Sequence, residues 1–262
     1  MASRKGHIDV VTLLLDKGAN ILLKTNKGAT ALLVACYQGQ REIAELLVRR
    51  DAPIDSRDIT GNTALIWAAS KGHAVIVEFL LNNGAMINIV NNEGWTPLIV
   101  ASSKGHDRVV TLLLAKGADI RLQNSKGASA LIIACCCGHH NVIEILVNRG
   151  SQLDAVDTKG DTALIYAARN GNANIVKYLL DHGASIDFCN KNGWSALPAV
   201  SRKGHVDVVT LLLDKGANIQ LQTKKGATAL LVACYHDQRR AAKILIGRGS
   251  PVDSPAPTAI LH

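Results

Sequence analysis

The chain has 262 residues, of which 48% are hydrophobic and 3% aromatic. This composition excludes a disordered tail and favours closely packed helices over an aromatic-rich β-sandwich. The formal net charge of +8 favours acidic partners. Apolar runs such as residues 130–137 stop far short of the roughly 18 residues that cross a bilayer, so we expect no membrane span.

The N-terminus, MASRKGHIDVV, turns amphipathic at once and lacks the unbroken apolar stretch of a secretory signal. The six cysteines include the adjacent Cys135, Cys136 and Cys137, and neighbouring cysteines rarely reach the geometry of a disulfide. We therefore interpret the cysteines as free thiols. Both observations predict a reducing compartment, the cytoplasm, with the nucleus as the alternative.

Glycines recur along the chain at a spacing of 33 residues, which is typical of a repeat protein. The clearest repeat is residues 58–90. In it, Thr63 is a suitable N-cap for a short helix over 64–70, and Gly72 can end that helix in the left-handed conformation. Apolar residues at three- and four-residue spacing predict a second helix over 74–81, which Gly84 ends.

The same pattern predicts a domain made of successive helix pairs. In chain order we expect a partial repeat at 1–24, seven repeats, and a C-terminal tail or truncated further repeat at 256–262. The seven repeats are 25–57, 58–90, 91–123, 124–156, 157–189, 190–222 and 223–255.

The segment GWTPLIVASSKGHDRVVTLLLAKGADI, which begins at Gly94, resembles an ankyrin repeat, and the resemblance covers nearly the whole chain. It implies an all-α repeat solenoid of stacked helix-turn-helix units with projecting β-hairpin fingers. One departure is systematic, because the usual histidine of the family's TPLH motif is replaced by an apolar residue in every copy. The replacements are Leu33, Ile66, Ile99, Ile132, Ile165, Pro198 and Leu231.

The sequence also contains an internal duplication longer than one 33-residue repeat. Residues 5–37 and 203–235 match except at four positions: Ile8/Val206, Leu22/Gln220, Lys24/Gln222 and Asn26/Lys224. We interpret this as duplication of a three-repeat block. Both ends are ragged, which we interpret as a segment of a longer array. We also expect weak self-association through apolar surface on the end repeats.

No arrangement of residues points to catalysis. The run CCCGHH at 135–140 is the one place that invites a metal or redox function, but adjacent cysteines on a helix point in different directions. His7, His73, His106, His139 and His205 recur at the repeat spacing, so we interpret them as helix caps. There is no phosphate-binding loop and no nucleophile–base grouping. We therefore expect no enzyme and no cofactor.

In the ankyrin family, ligands usually meet the finger tips and the exposed end of the first helix of each pair. Mapped onto this sequence, those positions carry eleven Lys or Arg residues against two acidic ones, Glu93 and Asp161. Tryptophan, tyrosine and arginine are enriched among interface hot spots, so the aromatic residues at these positions are candidate anchors. The candidate partner-binding residues are Lys27, Tyr37, Lys71, Trp95, Lys104, Lys126, Lys159, Arg169, Lys191, Trp194, Arg202, Lys203, Lys224, Lys225 and Tyr235.

These positions predict a non-enzymatic scaffold for protein–protein interaction. We expect its basic concave face to bind an acidic or extended protein segment. The alternative is direct binding of a polyanion, such as nucleic acid or an anionic membrane surface. For each tryptophan, a second interpretation is packing on the neighbouring finger.

Overall fold

The computed structural model describes residues 1–252, in an N-terminal half, Met1–Ser125, and a C-terminal half that begins at Lys126. The end of the seventh predicted repeat and the tail at 256–262 lie outside the described residues. The N-terminal half has α1 (Ala2–Lys5), α2 (Ile8–Asp16), α3 (Ala31–Gln38), α4 (Arg41–Arg49), α5 (Ala64–Lys71), α6 (Ala74–Asn82), α7 (Pro97–Lys104) and α8 (Asp107–Ala115). The C-terminal half has α9 (Ala130–Cys137), α10 (His140–Asn148), α11 (Ala163–Arg169), α12 (Ala173–Asp181), α13 (Ala196–Ser201), α14 (Val206–Asp214), α15 (Ala229–Tyr235) and α16 (Arg239–Gly247).

In each of the seven predicted repeats the first helix begins after a threonine or serine, and in all but one the hydroxyl accepts a hydrogen bond from the backbone N–H three residues later. In the repeat at 58–90 the Thr63 hydroxyl accepts a hydrogen bond from the Ile66 backbone N–H at 3.4 Å, as the sequence predicts. Ser195 is the exception, because the residue three positions later is Pro198, which has no N–H to donate. The buried Ser195 hydroxyl consequently has no partner among the described residues, and α13 is shorter than its counterparts.

Histidines occupy the position just before most of the second helices, but they do not act as side-chain caps. The His73 and His106 side chains make no N-cap hydrogen bond, so the prediction of capping is wrong. The His106 ring instead lies over Gly72 of the preceding repeat. A Cβ added to that glycine would sit 2.7 Å from His106 Nδ1, and Nε2 lies 3.0 Å from the Ser70 carbonyl oxygen. These histidines join one repeat to the next.

The predicted fingers are hydrogen-bonded turns. In the repeat at 58–90, the Asp58 N–H donates to the Asn62 carbonyl at 3.1 Å, and Asp58 Oδ1 accepts from the Thr60 and Asn62 N–H groups. This is the local pairing by which Asp and Asn favour turns. Neighbouring turns are linked along the backbone, since the Ile59 N–H donates to the Lys27 carbonyl at 3.2 Å. Residues 1–252 contain no extended sheet.

Helices pack in two rows within each half. In the N-terminal half, the first helices α1, α3, α5 and α7 contact one another in sequence, and so do the second helices α2, α4, α6 and α8. In the C-terminal half the first-helix row is α9, α11, α13 and α15. The apolar residues at the TPLH histidine position supply much of the core, and all are buried except the half-buried Leu231. The all-helical repeat fold is confirmed.

The second helix α2 exposes apolar side chains that are buried in its counterpart. Val10 and Leu14 are 46% and 50% exposed, whereas their counterparts in the duplicated block, Val208 and Leu212, are fully buried. Self-association through such surface stays a prediction. Over residues 1–252, every helix is too short or too polar to cross a bilayer.

Candidate functional site

Twelve of the fifteen predicted partner-binding residues are exposed, and the other three, Trp95, Arg169 and Trp194, are half-buried. The structure brings some of them together in grooves on each half and leaves the others apart. Four of the lysines are exposed on the C-terminal half but line neither of the two grooves described below. They are Lys126, Lys159, Lys191 and Lys203.

One groove of the C-terminal half, the C groove, has a volume of about 460 Å³. It runs between the finger at Trp194 and the finger and first helix of the next repeat. Its apolar floor includes Leu231 and Val232. The residues that give it charge and aromatic surface are Trp194, Arg202, Lys224, Lys225, Tyr235 and His236.

The C groove is positively charged. The Arg202 guanidinium carbon lies 6.0 Å from the centre of the Trp194 ring, a cation–π contact that holds it over the groove. Arg202 and Lys224 form no ion pair within residues 1–252, and no Asp or Glu is among the described residues that line the groove. Partial burial, together with the charges of Arg202 and Lys203, holds the pKa of His236 below its ordinary value.

Arg169 has a different environment. Its guanidinium Nη2 lies 3.0 Å from Asp161 Oδ2, and Asp161 also accepts from Asn190 Nδ2 at 2.6 Å. The sequence placed Asp161 at an exposed tip, but it is only 1% exposed. That prediction is wrong, because the finger folds back onto α11 and buries the carboxylate. Arg169 therefore neutralises an internal charge.

The N-terminal half carries a corresponding groove, the N groove, with a volume of about 730 Å³. Two predicted residues line it, Lys27 and Tyr37, and sequence reasoning missed two others, Arg4 and Trp67. The Tyr37 and Trp67 rings meet edge to face with centroids 5.0 Å apart, and Lys71 Nζ lies 4.3 Å from the centre of the Tyr37 ring.

Trp67 is held rigidly. Its indole Nε1 donates to Asp58 Oδ2 at 2.8 Å, which ties α5 to its own finger. Tyr166 makes the same bond to Asp157 in the C-terminal half, also at 2.8 Å. Burial, followed by that hydrogen bond, raises the pKa of Tyr166. A sequence signal for Trp67 exists, since an aromatic residue stands where the neighbouring repeats have Val34 and Val100.

Trp95 packs partly into the core, which differs from the second interpretation of packing on the neighbouring finger. Its side chain lies against the buried cluster of Ile66, Ile89 and Val100. The remaining face of the ring lines a smaller groove of about 220 Å³, with Trp67 and Lys104. Trp95 therefore contributes to the core and to the surface at once.

The cysteines are free thiols, as predicted. Cys36 and Cys135 are buried, and burial raises the pKa of the Cys36 thiol to about 12. Cys234, the counterpart of Cys36 in the duplicated block, is exposed, as are Cys136 and Cys137. Within residues 1–252, no group of three or more His, Cys, Asp or Glu side chains is placed to hold a metal ion.

Helix pairs repeated every 33 residues, joined by hydrogen-bonded turns and bearing surface grooves, define a helical repeat protein of the binding-scaffold class. The family model described as "Ankyrin repeats (3 copies)" matches residues 1–58, 50–124, 105–188 and 183–255, and the chain belongs to the ankyrin repeat family. Ankyrin repeats are generally modules of protein–protein interaction and typically not enzymes.

Solved and curated proteins agree with this assignment. The chain is similar to the crystal structure of the human ASB11 ankyrin repeat domain, with a TM-score of 0.78 and 30% identity over 85% of this chain and 99% of that one. A rice protein, Probable E3 ubiquitin-protein ligase XBOS33 from Oryza sativa subsp. japonica, is 51% identical over 41 residues. That match spans 16% of this chain and 8% of the rice protein.

Proposed function

We propose that this chain is a non-enzymatic scaffold that binds an acidic, extended segment of a protein partner in the C groove. The observation that supports the proposal is the groove itself: Arg202, Lys224 and Lys225 surround an apolar floor, and no carboxylate lines it. Positively charged side chains attract acidic ones and raise association rates. Trp194 and Tyr235 supply the aromatic surface on which interfaces concentrate their binding energy.

The apolar floor favours a peptide over a bare polyanion. Leu231 and Val232 offer nothing to a phosphate backbone, but they can accommodate apolar side chains that alternate with acidic ones along an extended segment. A polyanion, whether nucleic acid or a membrane surface, would use only the charges. Its affinity would then depend steeply on salt and little on sequence.

Fluorescence anisotropy with a labelled peptide tests the proposal. The probe has about ten residues of alternating Glu and Leu, enough at ~3.3 Å per residue to cross three repeats stacked about 10 Å apart. A second peptide replaces each Leu with Ser, and an oligo-deoxythymidylate and phosphatidylserine vesicles represent the polyanions. We expect the Glu-Leu peptide to bind, and the Glu-Ser peptide to bind at least tenfold more weakly.

Charge reversal locates the site. Changing Arg202, Lys203, Lys224 and Lys225 to Glu should weaken binding by on the order of 100-fold, without a change in thermal unfolding, because all four side chains are exposed. Lys177→Glu with Arg149→Glu is the matched control, since both side chains are exposed, Lys177 on α12 and Arg149 just after α10. Arg248 is unsuitable as a control because it pairs with Asp214 at 2.7 Å. Equal losses in the control, or equal binding of both peptides and the polyanions, would contradict the proposal.

A further inference from the structure

The N groove and the C groove are built from corresponding residues of the duplicated sequence. Nine residues that line the N groove have a counterpart 198 residues later that lines the C groove. The two cations and the exposed aromatic residue are shared between the grooves. The pairs are Arg4 with Arg202, Lys27 with Lys225, and Tyr37 with Tyr235.

The floor corresponds as well. Leu33 and Val34 line the N groove where Leu231 and Val232 line the C groove. The tyrosine is exposed in both grooves, 38% for Tyr37 and 57% for Tyr235. An acidic segment with apolar side chains would therefore find the same contact types in each groove.

The N groove contains one carboxylate, Asp58. Asp58 Oδ1 accepts hydrogen bonds from the Thr60 N–H, the Thr60 hydroxyl and the Asn62 N–H, and Oδ2 accepts from Trp67 Nε1. These neutral donors orient the carboxylate within its own finger but do not cancel its charge, so Asp58 weakens the attraction of this groove for an acidic ligand relative to the C groove.

The cations of the N groove are available to a ligand. Arg4 and Lys27 form no side-chain hydrogen bond or ion pair within residues 1–252, and both are exposed. Lys71 adds a third positive charge above the Tyr37 ring. A negatively charged ligand therefore meets unpaired positive charge beside an apolar floor, as it does in the C groove.

The internal copy between them keeps a lysine, Lys126, at the position of Lys27 and Lys225, but it lacks the arginine and the tyrosine. At the offset of 99 residues, Ser103 stands where the grooves have arginine, and Cys136 stands where they have tyrosine. The arginine and the tyrosine are therefore specific to the two grooves and are not part of the pattern that every repeat shares.

We propose that the N groove is a second binding site for the same class of ligand, an acidic segment with alternating apolar residues, so that one chain binds two such segments. This inference rests on the proposed function of the C groove. Asn26 replaces Lys224 and Gln38 replaces His236, so the N groove binds the more weakly of the two.

A tryptophan reporter isolates the N groove. The chain has three tryptophans, and Trp95→Phe with Trp194→Phe leaves Trp67, which lines the N groove, as the sole emitter. Phenylalanine preserves the apolar contact that Trp95 makes with its cluster. We expect the Glu-Leu peptide to change Trp67 fluorescence saturably, and isothermal titration calorimetry of the unmodified chain to show two peptides per chain.

Two substitutions with exposed side chains test the assignment. Arg4→Glu and Tyr37→Ala should each weaken the Trp67 response at least tenfold, and each should reduce the stoichiometry in calorimetry from two to one at the same peptide concentrations. Arg108→Glu, exposed at the start of α8, is the control and should change neither. Circular dichroism confirms that each variant is folded.

The outcomes separate the two proposals. One peptide per chain, lost on reversal of the C-groove cations and unaffected by Arg4→Glu, would overturn the second site and leave the proposed function intact. A Trp67 response that survives both Arg4→Glu and Tyr37→Ala would also overturn it. Failure of the peptide to bind at all would refute the proposed function and the second site together.

Discussion

The N groove and the C groove are two versions of one surface, and their differences separate the framework from the adjustable parts. The framework is an arginine, a lysine, a tyrosine and a Leu-Val floor. Around it, Trp67 of the following repeat forms a wall of the N groove, whereas Trp194 of the preceding finger forms a wall of the C groove. The C groove also gains Lys224 and His236. The comparison teaches that the duplicated residues kept the same types of contact. The residues around them differ, and they change the net charge of each groove and the aromatic side chain at its edge.

The largest expected difference is in stability. Leu33 is 1% exposed, whereas its counterpart Leu231 is half-buried. Leu33→Ala should therefore lower the free energy of unfolding by about 2–5 kcal/mol, through lost burial and a residual cavity. Leu231→Ala should lower it by only about 1–2 kcal/mol, because its side chain is less completely packed. Urea titrations measure both, and equal losses would mean that the two floors are packed alike.

The next difference is in electrostatic affinity. Lys224→Asn gives the C groove the residue of the N groove, and Asn26→Lys does the reverse. Because exposed ion pairs contribute about 0.2–1 kcal/mol, we expect a loss and a gain in peptide affinity of about two- to fivefold. Anisotropy at low and high salt checks this. Lys224→Asn should make the peptide affinity of the C groove less dependent on salt, and Asn26→Lys should make that of the N groove more dependent on it. An unchanged affinity in both variants would show that position 26/224 does not face the ligand.

The remaining difference is in pH dependence. The pKa of His236 is lowered, so this side chain is uncharged near pH 7 and gains a proton as the pH falls towards about 5. Peptide carboxylates, with ordinary pKa values near 4, stay ionised over that range. The C groove should then bind the acidic peptide about two- to fivefold more tightly at the lower pH.

Two variants check the role of His236. His236→Gln should remove the pH dependence, and the N groove, which has Gln38, should not show it. The same direction of shift means that protonating His236 disfavours the free folded chain, because burial disfavours the charged ring and Arg202 and Lys203 repel it. An acidic ligand relieves that repulsion. A pH response that survives His236→Gln would assign it to another group.

Much of the fold could be predicted because its signals are local. Thr63, Gly72 and Gly84 each act on the few residues beside them, and the two helices they delimit are only one residue longer at the end than predicted. Pro97 likewise occupies the first helical position, as a missing N–H allows.

What could not be predicted depends on contacts between repeats. The histidine spacing shows that His106 starts a helix, but it does not show that the ring lies over Gly72 of the previous repeat. The position of Asp161 in a turn indicates exposure, yet α11 covers it. Arg4 was within reach of sequence reasoning, since its counterpart Arg202 was already a candidate at the duplicated position.

The contact between glycine and histidine has a consequence for how such a chain can lengthen. Gly39 receives His73 and Gly171 receives His205, while Gly6 receives Gln40 and Gly204 receives Gln238. Each junction needs only a bare backbone on one side and a flat, medium-sized side chain on the other. A repeat that carries the glycine and the flat side chain can make the same contact with its neighbours on both sides. A block of such repeats can therefore be inserted while this contact is kept. The same contact recurs at each of these junctions, and it does not use the groove residues, so those residues can differ from one repeat to the next.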